Sequence, residues 1–515
     1  MALEKHIYKI FEDIVGPENI SQEPAVLDSY SWRQGQGARM DKFVPRFEAI
    51  ILPKYTEEVQ AIVKLCNRYM LQFKASSTDW ATAGTRGGPN IIKIDLRRMS
   101  KIIEINEKNM YAVVEPYVIY AQLQAELMKK GLNCNVIGAG SNCSALPLAA
   151  HGGIGHMGQS ASCGERNLLA VEWVTPEGEI VKLGSLGSAD EWFCGDGPGS
   201  SLRGIIRGGI SAMGGIGVFT KAAVKVYHWP GPSIFPIEGV SPHYAPSQTP
   251  ERFMIRFFSF PSIEKMLEAE RKIGESEISF ELMGFNAAMI ASNIATSNDE
   301  DFENLNRLRS LMKGHGFLVI VAGNSNREFE YQQRVLQKII DETKGKSLEL
   351  IEDPKIGGGL LWRCIRITAS IRETFRATGT WGGALAGTDI FAKEVYHMEK
   401  AALIKKDLIR RGLARDDGGG ILVWAQEHGH LGHGEMLLQY STSPESIKGA
   451  VELATGSDRI ALDDHYGVPH GIMGNEKHDM FGPYAYNYHL WLKKIKKAFD
   501  PNEAADPTFY ISAKK

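Results

Sequence analysis

Gly195-Asp-Gly-Pro-Gly-Ser-Ser-Leu-Arg-Gly204, followed closely by Gly214-Gly-Ile-Gly-Val-Phe-Thr220 and the apolar alternation Ala222-Ala-Val-Lys-Val-Tyr227, decides how this chain reads. Glycine has no Cβ, so it lets the main chain approach another surface more closely than any other residue does. A run this dense, set just before a strand, marks backbone packed against something large and flat. The rest of the chain agrees. Its 515 residues include 54 glycines, about one in ten, against an average near 7%. They gather at 138–164, 195–217, 357–359, 379–387 and 418–420, each time beside apolar segments. This is tight backbone around a ligand, not low-complexity linker.

Length predicts two or three domains with ample core. Hydrophobic residues make up 43% and charged residues 23%, as in an ordinary globular protein. The net charge of −3 gives no reason to expect nucleic acid or an anionic surface as partner. The six cysteines, Cys66, Cys134, Cys143, Cys163, Cys194 and Cys364, show no C-x-x-C spacing, which argues against an iron–sulfur cluster held by this chain alone. No run of about 18 apolar residues predicts a membrane span. The charged amphipathic start, Leu3 to Ile14, lacks the apolar stretch of a signal peptide, so a cytoplasmic location is expected.

Periodicity divides the chain. Short apolar strands are predicted at Glu48–Leu52 (stopped by Pro53), Leu71–Ala75, Ile91–Leu96 and Ala112–Pro116. Helices are predicted from Thr56 to about Tyr69 and from Tyr120 to Lys130, the second closed by Gly131. Leu169–Thr175, the turn Pro176-Glu-Gly178 and Glu179–Leu183 predict a hairpin. After Pro230-Gly-Pro232 glycine thins out, and strands alternate with helices, as in a ferredoxin-like α+β layer. Strands are expected at Phe253–Phe260, Ile278–Leu282, Phe317–Ala322, Gly420–Gln426 and Glu435–Tyr440.

Pro53-Lys-Tyr-Thr-Glu-Glu-Val59, the small-residue loop Ser76-Ser-Thr-Asp79, Ile94-Asp-Leu-Arg-Arg-Met99 and Gly214-Gly-Ile-Gly-Val-Phe-Thr220 come in fixed order. With the closing Lys496-Lys-Ala-Phe-Asp-Pro-Asn502, this order resembles the vanillyl-alcohol oxidase / p-cresol methylhydroxylase (PCMH) family of FAD-linked oxidases and dehydrogenases. The resemblance implies an α+β chain with a PCMH-type FAD-binding domain at 1–232, a ferredoxin-like α+β cap at 233–455, and a segment at 456–515 that returns to the FAD domain. It implies FAD held by Pro53, Ser76, Ser77, Thr78, Asp79, Gly140, Ser141, Gly152, Gly153, Gly164, Ile216, Gly217 and Val218, with backbone N–H groups facing the flavin's pyrimidine edge. No G-x-G-x-x-G opens a helix after the first strand, so a nicotinamide cofactor is not expected.

The histidines cluster in Trp424-Ala-Gln-Glu-His-Gly-His-Leu-Gly-His-Gly-Glu-Met436. Strand alternation would put His428 and His430 on one face. This stretch resembles the metal-binding motif of the D-lactate and D-2-hydroxyglutarate dehydrogenases, although Leu437 and His433 stand where that motif has His and Asp, and Pro469 where it has Glu. A divalent metal on His428, His430 and Glu435 is one reading; a metal-free polar pocket is the other. His430 and His470 are the candidates to take a hydroxyl proton, since an imidazole titrates near neutral pH. The resemblance of Leu361-Trp-Arg-Cys-Ile-Arg366 implies an arginine for a substrate carboxylate, Arg366 first, with Arg363, Arg372 and Arg376 also eligible.

The expected reaction is removal of hydride from the C–OH carbon of a small 2-hydroxy acid of the glycolate or D-lactate type. Electrons would pass to a separate acceptor such as an iron–sulfur subunit or an electron-transfer flavoprotein; a homo-oligomer is the other assembly considered. Two alternatives stand beside it. One is oxidation of a 4-alkylphenol or aromatic alcohol, with Tyr484, Tyr486 and Tyr488 near a phenolate. The other is a non-catalytic FAD-fold subunit of a larger complex.

Overall fold

The computed structural model describes residues 3–31, 44–79, 87–138, 140–146, 155, 157–184, 194–195, 202–206, 215–240, 243–312, 315–367, 382–385, 390–419, 421–469, 474–506 and 511–512. Gly152, Gly153, His470, Arg372, Arg376 and most of the 195–204 glycine stretch lie outside the described residues.

Two sheets build the first half. Strands Gln72–Ser76, Ile91–Asp95 and Ala49–Ile51 run parallel, with Ile20–Ser21 antiparallel at the edge. Helix Thr56–Arg68 covers them, burying Val59, Ile62, Val63 and Cys66 at the spacing that makes one stripe of a helix. The second sheet has six strands in the order Cys194–Gly195, Ile180–Gly184, Leu168–Val174, Val218–Lys225, Tyr111–Val114, Ile102–Asn106. The predicted hairpin forms its second and third strands, with Val171 opposite Leu183. Val174 and Val218 from this sheet share a core with Phe73, Ile92 and Val59, so the two sheets pack as one body.

The second half is a seven-stranded antiparallel sheet. Its order is Lys346–Ser347, Phe253–Phe260, His315–Ala322, Glu281–Gly284, Leu422–Gln426, Leu431–Leu438, Gly382–Leu385. One face packs on helices Ile263–Glu275, Asn326–Thr343, Phe391–Arg410 and Pro444–Asp463. The other carries Ile255, Phe257, Met283, Leu318, Ile320, Leu422, Trp424 and Leu437, and shares its core with helix Pro354–Arg366 and with Met128 of helix Tyr120–Met128. That second face therefore looks toward the first half of the chain. The last strand differs from expectation: it spans Leu431–Leu438, which draws His433 and Glu435 into the sheet.

Residues 496–506 pack back on the first half. Phe73 N–H donates to Ala504 O (2.8 Å), Asp506 N–H donates to Phe73 O (2.9 Å), and buried Lys74 pairs with Asp506 at 3.1 Å. Lys496 is buried and reaches Asp500 (2.6 Å), Ala505 O (2.7 Å) and Gly215 O. Asp500 in turn accepts from Ala504 N (2.8 Å) and Ala505 N (3.0 Å). Removing one partner strands the other charge in the interior. Asp500→Ala is expected to cost about 3–5 kcal/mol in urea unfolding. The double change Asp500→Leu with Lys496→Met should recover part of that loss. A melt of Asp500→Ala matching the wild type would refute this role.

Candidate functional site

The loop after strand Gln72–Ser76 makes a hydroxyl cradle. Ser144 Oγ donates to Ser77 Oγ at 2.9 Å and lies 3.4 Å from Thr78 Oγ1, so two separate loops converge there. Ser76 Oγ is buried beside them with no hydrogen-bond partner. A buried hydroxyl left unmatched costs about 1–3 kcal/mol unless a ligand satisfies it. Neutral hydroxyls and loop N–H groups are what a diphosphate needs when no full charge is supplied. Asp79 has a left-handed φ of +48° and is paired with Lys93 at 2.8 Å, the lysine being fully buried. The pairing neutralises a carboxylate that would repel phosphate. These residues fit the diphosphate of FAD.

The other described cofactor candidates lie in the strands, turns and loops of the first half. Pro53 is buried between Ala49–Ile51 and the covering helix, and Gly164 is buried at the start of the turn into Leu168–Val174. Gly140 has φ +125°, and Ser141 N–H donates to Ile367 O at 2.9 Å, tying this loop to the cap. At Gly217 (φ +120°) a Cβ would lie 2.3 Å from Val174 O, so the neighbouring strand alone requires glycine there. Ile216 O accepts from Trp173 Nε1 at 2.7 Å, and Val218 opens the central strand opposite Val174.

The cap's inward face carries the polar groups. Trp424 is paired with His433, and Leu422 with Glu435. His433 Nε2 and Glu435 Oε1 are 3.1 Å apart, with His433 1% exposed and Glu435 8%. Met283 is paired with Trp424, which sets Glu281 opposite Gln426 on the same face. Burial pushes the Glu281 carboxyl well above the ordinary carboxylate range.

The two halves meet at residues 158–162. Glu427 N–H donates to Gly158 O (3.1 Å) and His428 N–H to Gln159 O (2.8 Å). Ser162 Oγ donates to Glu427 (2.6 Å), and Arg166 pairs with Glu427 at 3.1 Å. Behind the turn, Glu270 is fully buried, and desolvation pushes its carboxyl up to about 8.

Three expectations change here. His428 and His430 do not lie on a strand face: both are exposed in the turn 427–430, where Glu427 and His428 have φ of +47° and +57°. Glu435 sits four residues down strand Leu431–Leu438 from its start, buried opposite Leu422, so the structure separates it from those histidines. No group of three or more His, Cys, Asp or Glu suited to a metal occurs among the described residues. Arg366 is held at Gln124 and Met128 of helix Tyr120–Met128, and Arg363 by Asn293 (2.9 Å) and Tyr244. Tyr484 and Tyr486 are 58% and 98% exposed, and Tyr488 contacts His478 at 3.2 Å, so these tyrosines do not line the inward face. His433, which the sequence reading does not single out as a base, is the histidine that the sheet places inward; its period-2 spacing from Glu435 was the available signal.

The first half thus carries a hydroxyl-lined cradle and the cap sheet an inward His–Glu pair. Residues 47–184 match a family described as an FAD binding domain. Over 98% of its length the chain is 22% identical to a probable mitochondrial D-lactate dehydrogenase of Danio rerio, covering 92% of that protein. It is 24% identical to glycolate oxidase subunit GlcD of Bacillus subtilis over 44% of this chain and 45% of that one. The 4-ethylphenol oxidase of Gulosibacter chungangensis superposes with a TM-score of 0.72 at 17% identity, covering 97% of this chain and 95% of its own. A substrate-bound p-cresol methylhydroxylase gives 0.72 at 14% identity, covering 96% and 94%. The protein is an FAD-dependent oxidoreductase with the fold of the vanillyl-alcohol oxidase / p-cresol methylhydroxylase enzymes, and D-lactate dehydrogenases are among its relatives.

Two outcomes follow from this geometry. Ser76→Ala is expected to weaken FAD retention about tenfold, the worth of one hydrogen bond, read by release of flavin fluorescence on dilution. The folded state binds the Glu270 proton more tightly than the unfolded chain does. That contribution is complete below about pH 4.5 and disappears as pH rises through 8. Wild type should therefore lose about 5 kcal/mol across that window, and Glu270→Gln should be the more stable protein at pH 8.5. Parallel melting curves for the two proteins from pH 5 to pH 9 would contradict this.

Proposed function

We propose that this protein dehydrogenates the C–OH carbon of a small 2-hydroxy acid and passes the electrons to a separate acceptor, an iron–sulfur subunit or an electron-transfer flavoprotein. The observation that carries the reading is the His433–Glu435 pair on the sheet face turned toward the FAD domain. FAD, held by the Ser76–Thr78 and Ser144 cradle, supplies the two-electron acceptor. Glu435 accepts the Nε2 proton of His433, which fixes the ring and leaves Nδ1 as the basic nitrogen. That nitrogen takes the substrate hydroxyl proton, and the buried carboxylate stabilises the imidazolium that forms. The relatives support the substrate class: the names of several specify D-lactate, D-2-hydroxyglutarate or glycolate.

Of the tyrosines named for the phenol reading, Tyr484 and Tyr486 are solvent-exposed and Tyr488 is half-buried against His478, while the 4-ethylphenol oxidase and p-cresol methylhydroxylase folds keep that chemistry as the alternative. His433→Asn is expected to lower kcat by 10²–10⁴-fold while FAD content stays at the wild-type level. The test is anaerobic addition of D-lactate, glycolate and D-2-hydroxyglutarate to the holoenzyme, with flavin absorbance followed at its visible maximum. A flavin that no 2-hydroxy acid bleaches, while a 4-alkylphenol does, transfers the assignment to the phenol chemistry. A protein that holds no flavin returns it to a non-catalytic subunit.

A further inference from the structure

One polar group on the inward face is used neither by the fold nor by the His433–Glu435 pair. Gln426 is fully buried, and neither its Oε1 nor its Nε2 has a hydrogen-bond partner. Across the strand stands Glu281, 1% exposed, whose Oε2 is likewise unmatched. Both lie against Gly158 of the FAD domain. Its N–H lies near the Glu281 carboxyl while donating to Gly155 O (3.1 Å), and a Cβ on it would sit 3.5 Å from Gln426 Cγ. Three unmatched polar atoms in one place would cost several kcal/mol if nothing satisfied them. Of the neighbours on this face, Ile255, Ile320 and Met283 are apolar, and Trp424 has only its indole N–H to donate.

Resting on the reaction assigned above, we infer that Glu281 and Gln426 form a recognition subsite for a neutral hydroxyl group on the substrate chain, so that the preferred substrate is a hydroxylated 2-hydroxy acid. The subsite contains a donor and an acceptor on the amide and a carboxyl group held in its neutral form. Among the described residues, no lysine or arginine figures among the groups that act on Glu281. A second carboxylate there would be buried without a cation, and an aliphatic chain would leave the amide unmatched. A hydroxyl both donates and accepts, and so satisfies the pair. Gln426 is two residues along the strand from Trp424, the partner of His433, a step of about 7 Å. That span suits an acid whose extra hydroxyl lies two or three carbons from the reacting carbon.

The experiment compares kcat/KM of the holoenzyme for D-gluconate and D-erythronate with that for D-lactate, D-2-hydroxybutyrate and D-2-hydroxyglutarate, with a dye as acceptor. The hydroxylated acids should be preferred by tenfold or more. Gln426→Met should bring the ratio near one, mainly through KM. Glu281→Gln, which keeps a neutral donor and acceptor, should retain the preference. A wild-type ratio of one or less, or a ratio unmoved in Gln426→Met, overturns this inference and leaves the reaction in place. Should Gln426→Met not fold, loss of the preference in Glu281→Leu takes its place as the test. Failure of every 2-hydroxy acid to reduce the flavin overturns the reaction and this inference together.

Discussion

Two backbone hydrogen bonds, from Glu427 and His428 to Gly158 and Gln159, hold the cap sheet against the FAD domain. Gly158 packs closely under the strand Leu422–Gln426: a Cβ there would lie 3.5 Å from both Ala425 O and Gln426 Cγ. That contact is joined by Ser141 N–H on Ile367 O and by Gln124 Nε2 on Ile365 O, both at 2.9 Å. It brings the inward face, with His433, Glu435, Glu281 and Gln426, toward the domain that carries the Ser76–Thr78 cradle. Ser162 and Arg166 brace the same turn through Glu427, so the seam is polar and directional as well as packed.

The division of labour between the halves is physical. The first half spends its buried charges on internal pairs: Lys93 with Asp79, Lys74 with Asp506, Lys496 with Asp500. Its ligand-facing groups are consequently neutral, which suits a cofactor that carries its own charge. The cap does the reverse. It places Glu281 on a largely apolar sheet face and Glu270 on helix Ile263–Glu275 behind the sheet, and burial raises both above the usual carboxylate range. Such displaced groups concentrate at working sites.

Much of this was readable in the sequence. The Thr56–Arg68 stripe, the Gly131 helix end and the 168–184 hairpin follow from period and turn chemistry, and the structure has each within a residue or two. Helix Phe391–Arg410 was not announced, because it buries Glu394, His397 and Lys405 among its apolar residues and so shows no clean stripe. The histidine cluster misled for a related reason. Glu427 and His428 adopt left-handed φ without being glycine, so a turn stands where alternation predicted a strand. Pairing partners such as Trp424 opposite His433 depend on long-range register, which no local pattern contains.

The return of residues 496–506 to Phe73 and Gly215 has a consequence for biosynthesis. During translation the nucleotide-binding half leaves the ribosome with one edge of its sheet uncovered, while some 260 further residues are still being made. The nascent first domain therefore stays unsealed through synthesis of the whole cap, until residues 496–506 emerge.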